Sequence, residues 1–437
     1  MKTPSLSPQM RKYTVAAVIG NGLENYDFAI FGYMTPLLAK HFFSSASASV
    51  SLLYTFAIFS VGFFGRPIGA FLFGQLGDRK GRKKSLLMSL LLMAVSTGLM
   101  GFLPTYSRIG LWAPILLTLL RVFQGISIGG EYSGCLSYLL EHAPPERKGF
   151  VASWMNIGTC LGLLTGASAS LLARSFLTLN SFEAWGWRIA FILGLAIAAL
   201  GYYLRQKMTE TPLFLELKQK HTLERHPFKK VISAHWKETI QSTCVIIPLT
   251  VWTYLLFIYL PTRFTGISSL SFTAALSITM LPLTTTLLFL PLGGYLSDKW
   301  GIKKSIAIGL IIMSILAPLL FYTLEDGRYV FFLLFEIVFT FFLSLSAAPA
   351  NVLLVELFPT NVRNTGTAFS YSIIGIFGGL TPLVLTWLSL HIGGIFGPLS
   401  WVSVTGLMGI LALKSVKRVP LLVDDKEISS SINYSQI

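Results

Sequence analysis

Charged residues and cysteines are both scarce in this 437-residue chain, and the two shortages exclude whole classes of protein. Only 12% of the residues are charged while 53% are hydrophobic, which is unlike a soluble domain. Cys135, Cys160 and Cys244 are odd in number and lack metal-ligand spacing, so we expect no disulfide framework and no metal site. The absence of a Gly-x-x-x-x-Gly-Lys-Ser/Thr loop argues against an ATP-driven pump.

Acidic residues are also few, and the resulting net charge of +15 has two possible explanations. It could indicate nucleic-acid binding, or it could reflect the excess of Lys and Arg in the cytoplasmic loops of membrane proteins. With the N-terminus placed in the cytoplasm, most Lys and Arg residues fall on the cytoplasmic side. We therefore predict a multi-pass membrane protein with both termini in the cytoplasm and no nucleic-acid partner.

Long apolar runs fill most of the chain, and twelve of them can be read as membrane-spanning helices of about 20 residues each. The predicted division is a six-helix bundle over 1–205, a polar cytoplasmic linker over 206–238, a second six-helix bundle over 239–416 and a cytoplasmic tail over 417–437. Within the linker, residues 211–217 could form an interfacial helix. No convergent catalytic set stands out, so we do not expect an enzyme.

A charged turn punctuated by glycine occurs twice, at residues 74–85 and, half a chain later, at residues 294–305. Both copies lie between apolar runs, which indicates two similar halves of the chain. The predicted fold is an all-α membrane protein of twelve transmembrane helices in two pseudo-symmetric six-helix bundles around a central site.

Several motifs resemble the major facilitator superfamily and, within it, the metabolite:proton symporters. The repeated turn matches the superfamily loop that follows helix two and returns after helix eight. The further matching motifs begin at Gly20, Arg66, Leu119, Gly129, Trp185, Tyr203, Glu210, Glu356 and Phe377. The resemblance implies a monomeric carrier in a bacterial inner membrane that takes up osmolytes or carboxylates with protons and has no other cofactor.

The resemblance also implies gates at the cytoplasmic face, although a merely topogenic basic loop would explain the cations of the turns. A glycine at the helix end would allow close packing or a left-handed exit, and Asp78 would accept hydrogen bonds from a neighbouring helix N-terminus. Glu131 is expected to pair with Arg79, Arg82 or Arg147 when this face closes, with contact to the substrate as the alternative. The candidate gate residues are Gly74, Asp78, Arg79, Arg82, Glu131, Arg147, Asp298, Glu356 and Arg363.

Acidic residues inside the spans are the candidates for proton coupling, because ionisable groups in a membrane are costly and by default functional. Glu24 and Asp27 lie near the middle of the first helix, and Asn21 shares their broad face. Either acid could exchange the coupling proton, or both could make fixed structural hydrogen bonds. Glu336 in the tenth helix is a second coupling candidate, with a buried hydrogen bond as the alternative.

Arg121 is the main candidate for substrate binding, since a buried guanidinium forms paired contacts with carboxylates. It could anchor a substrate carboxylate, or it could pair with Glu24 or Asp27 and switch on protonation. Arg66 is a further candidate, for which a structural role beside Pro67 is favoured. Asn21 and Tyr26, both in the first-helix motif, complete the candidate substrate-binding set.

Two details of the helices carry separate expectations. The family usually has an aromatic residue where this chain has Asn25, which predicts a different pocket shape there. Gly158, Gly162 and Gly166 recur once per turn in helix five, which predicts close packing against another helix.

The predicted function is proton-coupled uptake of a small carboxylated metabolite, either an organic acid such as citrate or 2-oxoglutarate or a zwitterion such as a betaine or proline. The alternative is transport of a larger compound, such as a drug or a carboxylate siderophore, by a carrier of the same fold. Two or more cations near the pocket would favour a di- or tricarboxylate, whereas an acid with aromatic residues would favour a betaine.

Overall fold

A computed structural model describes residues 8–43, 47–80, 82–141, 143–206, 210, 219, 226–260, 272–326, 328–359, 362–393 and 396–416. Every regular element within these residues is helical. The predicted interfacial helix at 211–217 and the predicted tail at 417–437 lie outside the described residues.

Eight numbered helices make up the first half of the chain. They are α1 (Pro8–Phe42), α2 (Ala48–Phe64), α3 (Arg66–Lys80), α4 (Arg82–Phe102), α5 (Trp112–Ile128), α6 (Glu131–Glu141), α7 (Lys148–Phe176) and α8 (Trp187–Gln206). Short helical turns at Tyr106–Ile109, Pro145–Arg147, Leu179–Ser181 and Phe182–Gly186 connect them. The second and fourth spans are each interrupted once, so that α2 with α3 and α5 with α6 form two of the six spans.

The second half is built in the same way. Its helices are α9 (Pro227–Ala234), α10 (Trp236–Tyr254), α11 (Phe272–Trp300), α12 (Ile302–Glu325), α13 (Tyr329–Glu356), α14 (Arg363–His391) and α15 (Phe396–Ser415). A π-helical turn at Leu255–Tyr259 extends α10. The short helix α9 lies in the segment between the halves, and α10 to α15 supply six spans.

Eleven spans in the described part of the chain are long and apolar enough to cross a membrane. The remaining span is α1, a helix of 35 residues whose middle carries Asn21, Glu24, Asn25 and Asp27. These polar residues lower its hydropathy, but α1 packs along α7 and α8 as part of the first bundle. The prediction of a twelve-helix membrane protein is therefore confirmed.

The two halves meet along two main seams. In one seam α7 of the first half packs on α11 and α13 of the second, and in the other α14 packs on α2, α3 and α6. The repeated turns at residues 74–85 and 294–305 are separated by six spans, so both lie at the same end of the molecule. We call this end the basic face. The seams leave a space between the halves near the middle of the helices, and this space holds the candidate site.

Close packing of α1 on α7 confirms the expectation drawn from the glycine series of helix five. A Cβ atom at Gly158 would lie 2.8 Å from the carbonyl oxygen of Val18, and one at Gly166 would lie 2.6 Å from Cβ of Ala29. A Cβ at Gly162 would overlap the carbonyl oxygen of Gly22. Glycine at these positions brings the two backbones together, which fixes α1 and its polar residues against α7.

Candidate transport site

A cavity of about 110 Å³ lies between the two halves. Its polar and charged lining residues are Asn25, Arg66, Asn156, Thr159, Thr250, Thr253 and Asn351. Its aromatic lining residues are Phe28, Tyr132, Tyr254, Phe257 and Tyr371, and small or aliphatic side chains complete the wall. Both halves contribute to each group, so the cavity has the composition expected of a pocket for a small ligand.

Arg66 is the charged residue among the described residues that line this cavity. It begins α3 next to Pro67, whose missing N–H group and fixed φ suit the first turn of a helix. Its guanidinium lies 4.9 Å from the ring centre of Phe28 and 5.8 Å from that of Tyr371. A Cβ at Gly375 would lie 2.8 Å from Nη1 of Arg66, so glycine in α14 makes room for the cation at the seam.

Glu24 lies behind Arg66 and forms an ion pair with it. Oε1 of Glu24 is 3.6 Å from Nη2 of Arg66, and both side chains are at most 4% exposed. Oε2 of Glu24 is buried and has no hydrogen-bond partner among the described residues. Arg66 is thus a buried cation that lines the cavity and pairs with a buried acid.

Asp27 belongs to a separate hydrogen-bond chain inside the first half. Thr97 donates to Oδ2 of Asp27 at 2.8 Å, and Nε2 of Gln124 donates to Thr97 at 2.8 Å. Oε1 of Gln124 accepts from Nη1 of Arg121, whose Nη2 donates to the carbonyl oxygen of Phe59. Asp27 and Arg121 are therefore connected through two neutral side chains.

These hydrogen bonds change the roles predicted for Arg121. The structure pairs Arg66, not Arg121, with Glu24, and Arg121 and Asp27 form no direct ion pair within the described residues. Arg121 is also not among the residues that line the cavity, because Phe28, Phe31 and Phe59 surround its guanidinium. The geometry favours Arg66 as the cation nearest to a bound substrate.

Asn21 and Tyr26, predicted as substrate contacts, are turned toward neighbouring helices. Nδ2 of Asn21 donates to the carbonyl oxygen of Met155 and to Thr159, and the Tyr26 hydroxyl donates to the carbonyl oxygen of Ala190. Of the polar residues in the first-helix motif it is Asn25, where the family usually has an aromatic residue, that lines the cavity. The predicted difference in pocket shape at Asn25 thus concerns a residue of the cavity wall.

The end of the cavity toward the basic face is closed by contacts between the two halves. The rings of Tyr132 and Tyr371 stack with centres 4.0 Å apart and planes 5° from parallel. The Tyr132 hydroxyl donates to Oδ1 of Asn351 at 3.1 Å, and Nδ2 of Asn351 donates to Oδ1 of Asn156 at 3.3 Å. Tyr132 and Asn156 belong to the first half, and Tyr371 and Asn351 to the second, so these contacts cross the seam three times.

Glu131 is paired inside the first half with Arg205, a residue that the sequence did not suggest, while the side chains of Arg79 and Arg82 lie outside the described part. Oε1 of Glu131 accepts from Nη2 of Arg205, its Oε2 accepts from Ser89, and both charged side chains are at most 4% exposed. A Cβ at Gly20 would overlap the guanidinium of Arg205. Glycine at this position therefore makes room for Arg205. Three motifs of the resemblance, on α1, α6 and α8, thus meet at one buried ion pair.

The second copy of the repeated turn closes the basic face. Both carboxylate oxygens of Asp298 accept from the first turn of α7, at 2.7 Å from the N–H of Gly149 and 2.9 Å from that of Phe150. A carboxylate at a helix N-terminus satisfies free N–H groups and interacts favourably with the helix dipole. A Cβ at Gly294 would lie 2.6 Å from the carbonyl oxygen of Gly149, so glycine permits this approach.

A buried ion pair lies beside this contact and also joins the halves. Nζ of Lys148 is 2.5 Å from Oε1 of Glu356, and both side chains are at most 2% exposed. Arg147 and Arg363 act electrostatically on Asp298 and Glu356, respectively. The predicted gate positions Asp298 and Glu356 therefore both lie at contacts between the two halves.

The first copy of the turn is packed differently at the positions that can be compared. Gly74 lies inside α3, and a Cβ there would meet no atom of the described residues within 4 Å. Neither close packing nor a left-handed exit is therefore seen at Gly74 among these residues. In the second copy Gly301, whose counterpart Gly81 lies outside the described residues, has a φ of 93°, which supplies a left-handed exit. The side chains of Asp78, Arg79 and Arg82 lie outside the described part.

Glu336 is buried in α13 at 3% exposure but is not part of the cavity wall. Its Oε2 has no hydrogen-bond partner among the described residues, so the buried hydrogen bond offered as an alternative is not seen at that atom. In the part of the chain that the structure describes, no three His, Cys, Asp or Glu side chains are placed to hold a metal ion.

Comparison with known proteins places this architecture in a family. A family model described as "Sugar (and other) transporter" matches residues 13–419. The chain belongs to this transporter family of the major facilitator superfamily. The glycine betaine/proline/ectoine/pipecolic acid transporter OusA of Dickeya dadantii is 32% identical over 425 residues, which cover 94% of this chain and 85% of the relative.

Two further comparisons agree with this membership. The proline/betaine transporter of Escherichia coli K12 is 31% identical to this transporter over 422 residues, covering 94% of this chain and 84% of the relative. The solved structure of the proton:xylose symporter XylE, bound to 6-bromo-6-deoxy-D-glucose, superimposes with a TM-score of 0.79 at 20% identity. It covers 94% of this chain and 96% of the solved chain. The superposition confirms the fold.

Several residues of the transporter's site were not singled out from the sequence. They are Asn156, Lys148, Tyr254, Phe257 and Asn351. Phe257 lies in the π-helical turn after α10, and such turns often occur at functional sites, but a π turn has no clear sequence signal. Asparagines within apolar spans are a usable signal, since polar side chains in a membrane are costly unless they line a cavity or bond to each other.

Proposed function

We propose that this transporter takes up a compact zwitterion with a carboxylate, such as a betaine or proline, together with protons. The observation that carries the proposal is the central cavity, in which Arg66 is the charged lining residue and five aromatic rings form much of the wall. A single cation with an acid behind it is poorly matched to citrate or another multiply charged acid.

The aromatic rings suit the cationic part of such a substrate. An ammonium group is attracted to the face of Tyr, Phe or Trp, and quaternary ammonium ions are recognised by several rings together. Tyr254 and Phe257 line the cavity from the second half, and Phe28 lines it from the first. The names of the bacterial relatives, which carry betaines and proline, support this substrate class.

Proton coupling is proposed to act through the Glu24–Arg66 pair. With Glu24 ionised, the pair is neutral overall and attracts no anion. A proton on Glu24 leaves the charge of Arg66 uncompensated beside the cavity, which favours a substrate carboxylate nearby. Substrate and proton then stabilise each other's binding, since this coupling free energy is reciprocal.

Alternating access is proposed to proceed by rocking of the two bundles about the cavity. The contacts of Asp298 with α7, the Lys148–Glu356 pair and the Tyr132–Tyr371 stack join the halves on the side of the basic face. These contacts would break when the cavity opens toward that face. Glu131 and Arg205, which pair within one bundle, would move together.

The cellular setting follows from the same reading. We propose a bacterial inner membrane, termini and basic face in the cytoplasm, lipid as the surrounding partner, and a monomer with no cofactor besides the proton. The solute crosses without chemical change, so the chain would have no enzymatic activity.

Uptake by purified protein in proteoliposomes tests the proposal. An inside-alkaline pH gradient should drive accumulation of radiolabelled glycine betaine or proline, and a proton ionophore should abolish it. Citrate and 2-oxoglutarate should neither accumulate nor compete. Accumulation of citrate without accumulation of either zwitterion would contradict the substrate class, and zwitterion uptake insensitive to the pH gradient would contradict the coupling.

A further inference from the structure

Four polar residues of the cavity lining form one contiguous group at the end toward the basic face. Asn25 donates to Thr159 at 3.5 Å, Thr159 lies one turn from Asn156 on α7, and Asn156 contacts Asn351 across the seam. The aromatic residues Tyr254 and Phe257, on α10 and its extension, lie farther from the basic face. The cavity therefore has an amide-rich end, which Tyr132 and Tyr371 also line, and Tyr254 and Phe257 lie toward the opposite end.

One donor at the amide-rich end has no hydrogen-bond partner among the described residues. The hydrogen bonds run in one direction, from the Tyr132 hydroxyl to Asn351 and from Asn351 to Oδ1 of Asn156. Nδ2 of Asn156 is buried and has no hydrogen-bond partner among the described residues, although the side chain belongs to the cavity wall. A buried amide without a partner is costly, and an acceptor from the cavity would remove that cost.

We propose that Asn156 selects substrates that have a carboxylate, by donating a hydrogen bond from Nδ2 to a carboxylate oxygen. The inference rests on the proposed function and adds the orientation of the substrate. The carboxylate faces Asn156 at the amide-rich end, and the ammonium group faces Tyr254 and Phe257. Arg66 supplies the favourable charge, while Asn156 supplies the direct contact and is held by Asn351 and Tyr132.

The bond between Asn351 and Asn156 explains why this donor is well placed. It occupies Oδ1 of Asn156 and so fixes which end of the amide is the donor. Because Asn351 belongs to the second half, the donor is fixed only when the halves are together on the side of the basic face. A substrate carboxylate would thus bind most tightly to the arrangement seen in the structure.

The test compares two probes that share a quaternary ammonium group, with glycine betaine carrying a carboxylate and tetramethylammonium carrying none. Both are measured as competitors of labelled proline uptake in proteoliposomes. Asn156→Ala should weaken glycine betaine by about 10- to 100-fold, the expected range for losing a hydrogen bond to a charged group. Its effect on tetramethylammonium should be within about twofold, because that ion makes no hydrogen bond.

Asn156→Asp and Thr165→Ala complete the design. The aspartate should weaken glycine betaine further and strengthen tetramethylammonium, since a new negative charge repels a carboxylate and attracts a cation. Thr165 is an exposed residue of the same helix whose hydroxyl bonds to the backbone of its own helix, so its alanine variant should match the wild type.

Equal weakening of both probes by Asn156→Ala would show a merely structural role and overturn the inference. An unchanged affinity for glycine betaine would overturn it as well. Either result leaves the proposed function intact, provided that the wild type accumulates the zwitterion. Failure of the wild type to recognise proline or glycine betaine would instead reject the proposed function.

Discussion

The first bundle buries its charges in pairs and hydrogen-bond chains, whereas the second buries an acid without such support. Glu24 pairs with Arg66 and Glu131 pairs with Arg205, with both members of each pair in the first half. Glu336 in the second half has an unpartnered carboxylate oxygen among the described residues and does not line the cavity. The second half instead supplies cavity wall and gate contacts.

The two bundles therefore have similar helices but unequal tasks. Pseudo-symmetry explains where the turns and spans lie, and it does not place charges. Charges in the first bundle could respond to a proton and a substrate without any exchange of partners between bundles. The second bundle would then respond only through its contacts with the first.

The largest expected effect comes from breaking the Glu131–Arg205 pair with Arg205→Ala. Removing one member of a buried ion pair leaves the other charge uncompensated and costs about 3–5 kcal/mol. The folded yield and thermal stability in detergent should therefore fall sharply, which size-exclusion chromatography and a thermal-shift assay would measure.

A double variant sharpens this test. Glu131→Gln together with Arg205→Met removes both charges and should recover much of the lost stability, since a neutral replacement of a buried pair is often tolerated. If Arg205→Ala were as stable as the wild type, the pair would not be the structural support of the first bundle that the structure suggests.

A second large effect is expected from Glu24→Gln, which prevents the carboxyl from ionising. The variant should still exchange labelled for unlabelled substrate, because its Arg66 remains free to attract a carboxylate. It should no longer accumulate substrate in response to a pH gradient, because no proton is released at this position. Counterflow and gradient-driven uptake, measured in the same proteoliposomes, separate the two activities.

Asp27→Asn is the matched comparison for Glu24. Asp27 accepts from Thr97 and is linked to Arg121 only through neutral side chains, so we expect it to affect coupling less. Loss of coupling in Asp27→Asn with normal coupling in Glu24→Gln would exchange the roles of the two acids.

The fold could be predicted from the sequence because it depends on features that are local or repeated. Apolar runs of spanning length fix the helices, and the turns at 74–85 and 294–305 reveal the two halves. The glycines of helix five signal close packing without identifying the partner helix. These features can be recognised in the sequence because each depends on the residues of one segment.

The partners of the buried charges could not be predicted in the same way. Arg121 and Arg66 both lie within spans, and helix position alone does not show that a seam glycine, Gly375, makes room for Arg66. The sequence suggested Arg79, Arg82 or Arg147 as partners of Glu131 and gave no sign that the absence of a side chain at Gly20 makes room for Arg205 beside it. Which charges meet depends on how helices are rotated and packed, and one segment does not contain that information.

A smaller effect is expected from the repeated turns. Asp298→Asn removes the charge that caps α7 and should weaken closure of the basic face by about 0.3–1 kcal/mol, the range for a charge at a helix terminus. We predict that Asp78→Asn impairs transport more than Asp298→Asn, because the first turn belongs to the bundle that holds the buried charges. Initial uptake rates, normalised to the amount of protein in the membrane, measure both.

The contacts between the two halves at the second turn make a strong effect of Asp298→Asn plausible as well. In the second turn Asp298 and Gly294 contact the first half, while a Cβ at Gly74 in the first turn would meet no atom of the described residues within 4 Å. A larger effect of Asp298→Asn would show that closure of the basic face depends mainly on the second turn. The difference in buried charge between the two bundles would then have no counterpart at the gate turns.

The smallest effect is expected from Glu336→Gln, and it is the most direct test of the comparison between the bundles. Glu336 is buried, has an unpartnered carboxylate oxygen and lies outside the cavity wall, so an ionised form would be very unfavourable there. A neutral amide of the same shape should therefore leave substrate affinity, gradient-driven uptake and thermal stability close to those of the wild type. Glu336→Leu is a useful second variant, because an apolar side chain of similar size should also be tolerated in such surroundings. If Glu336→Gln abolished accumulation while exchange continued, the coupling proton would bind in the second bundle, and the paired charges of the first would be structural.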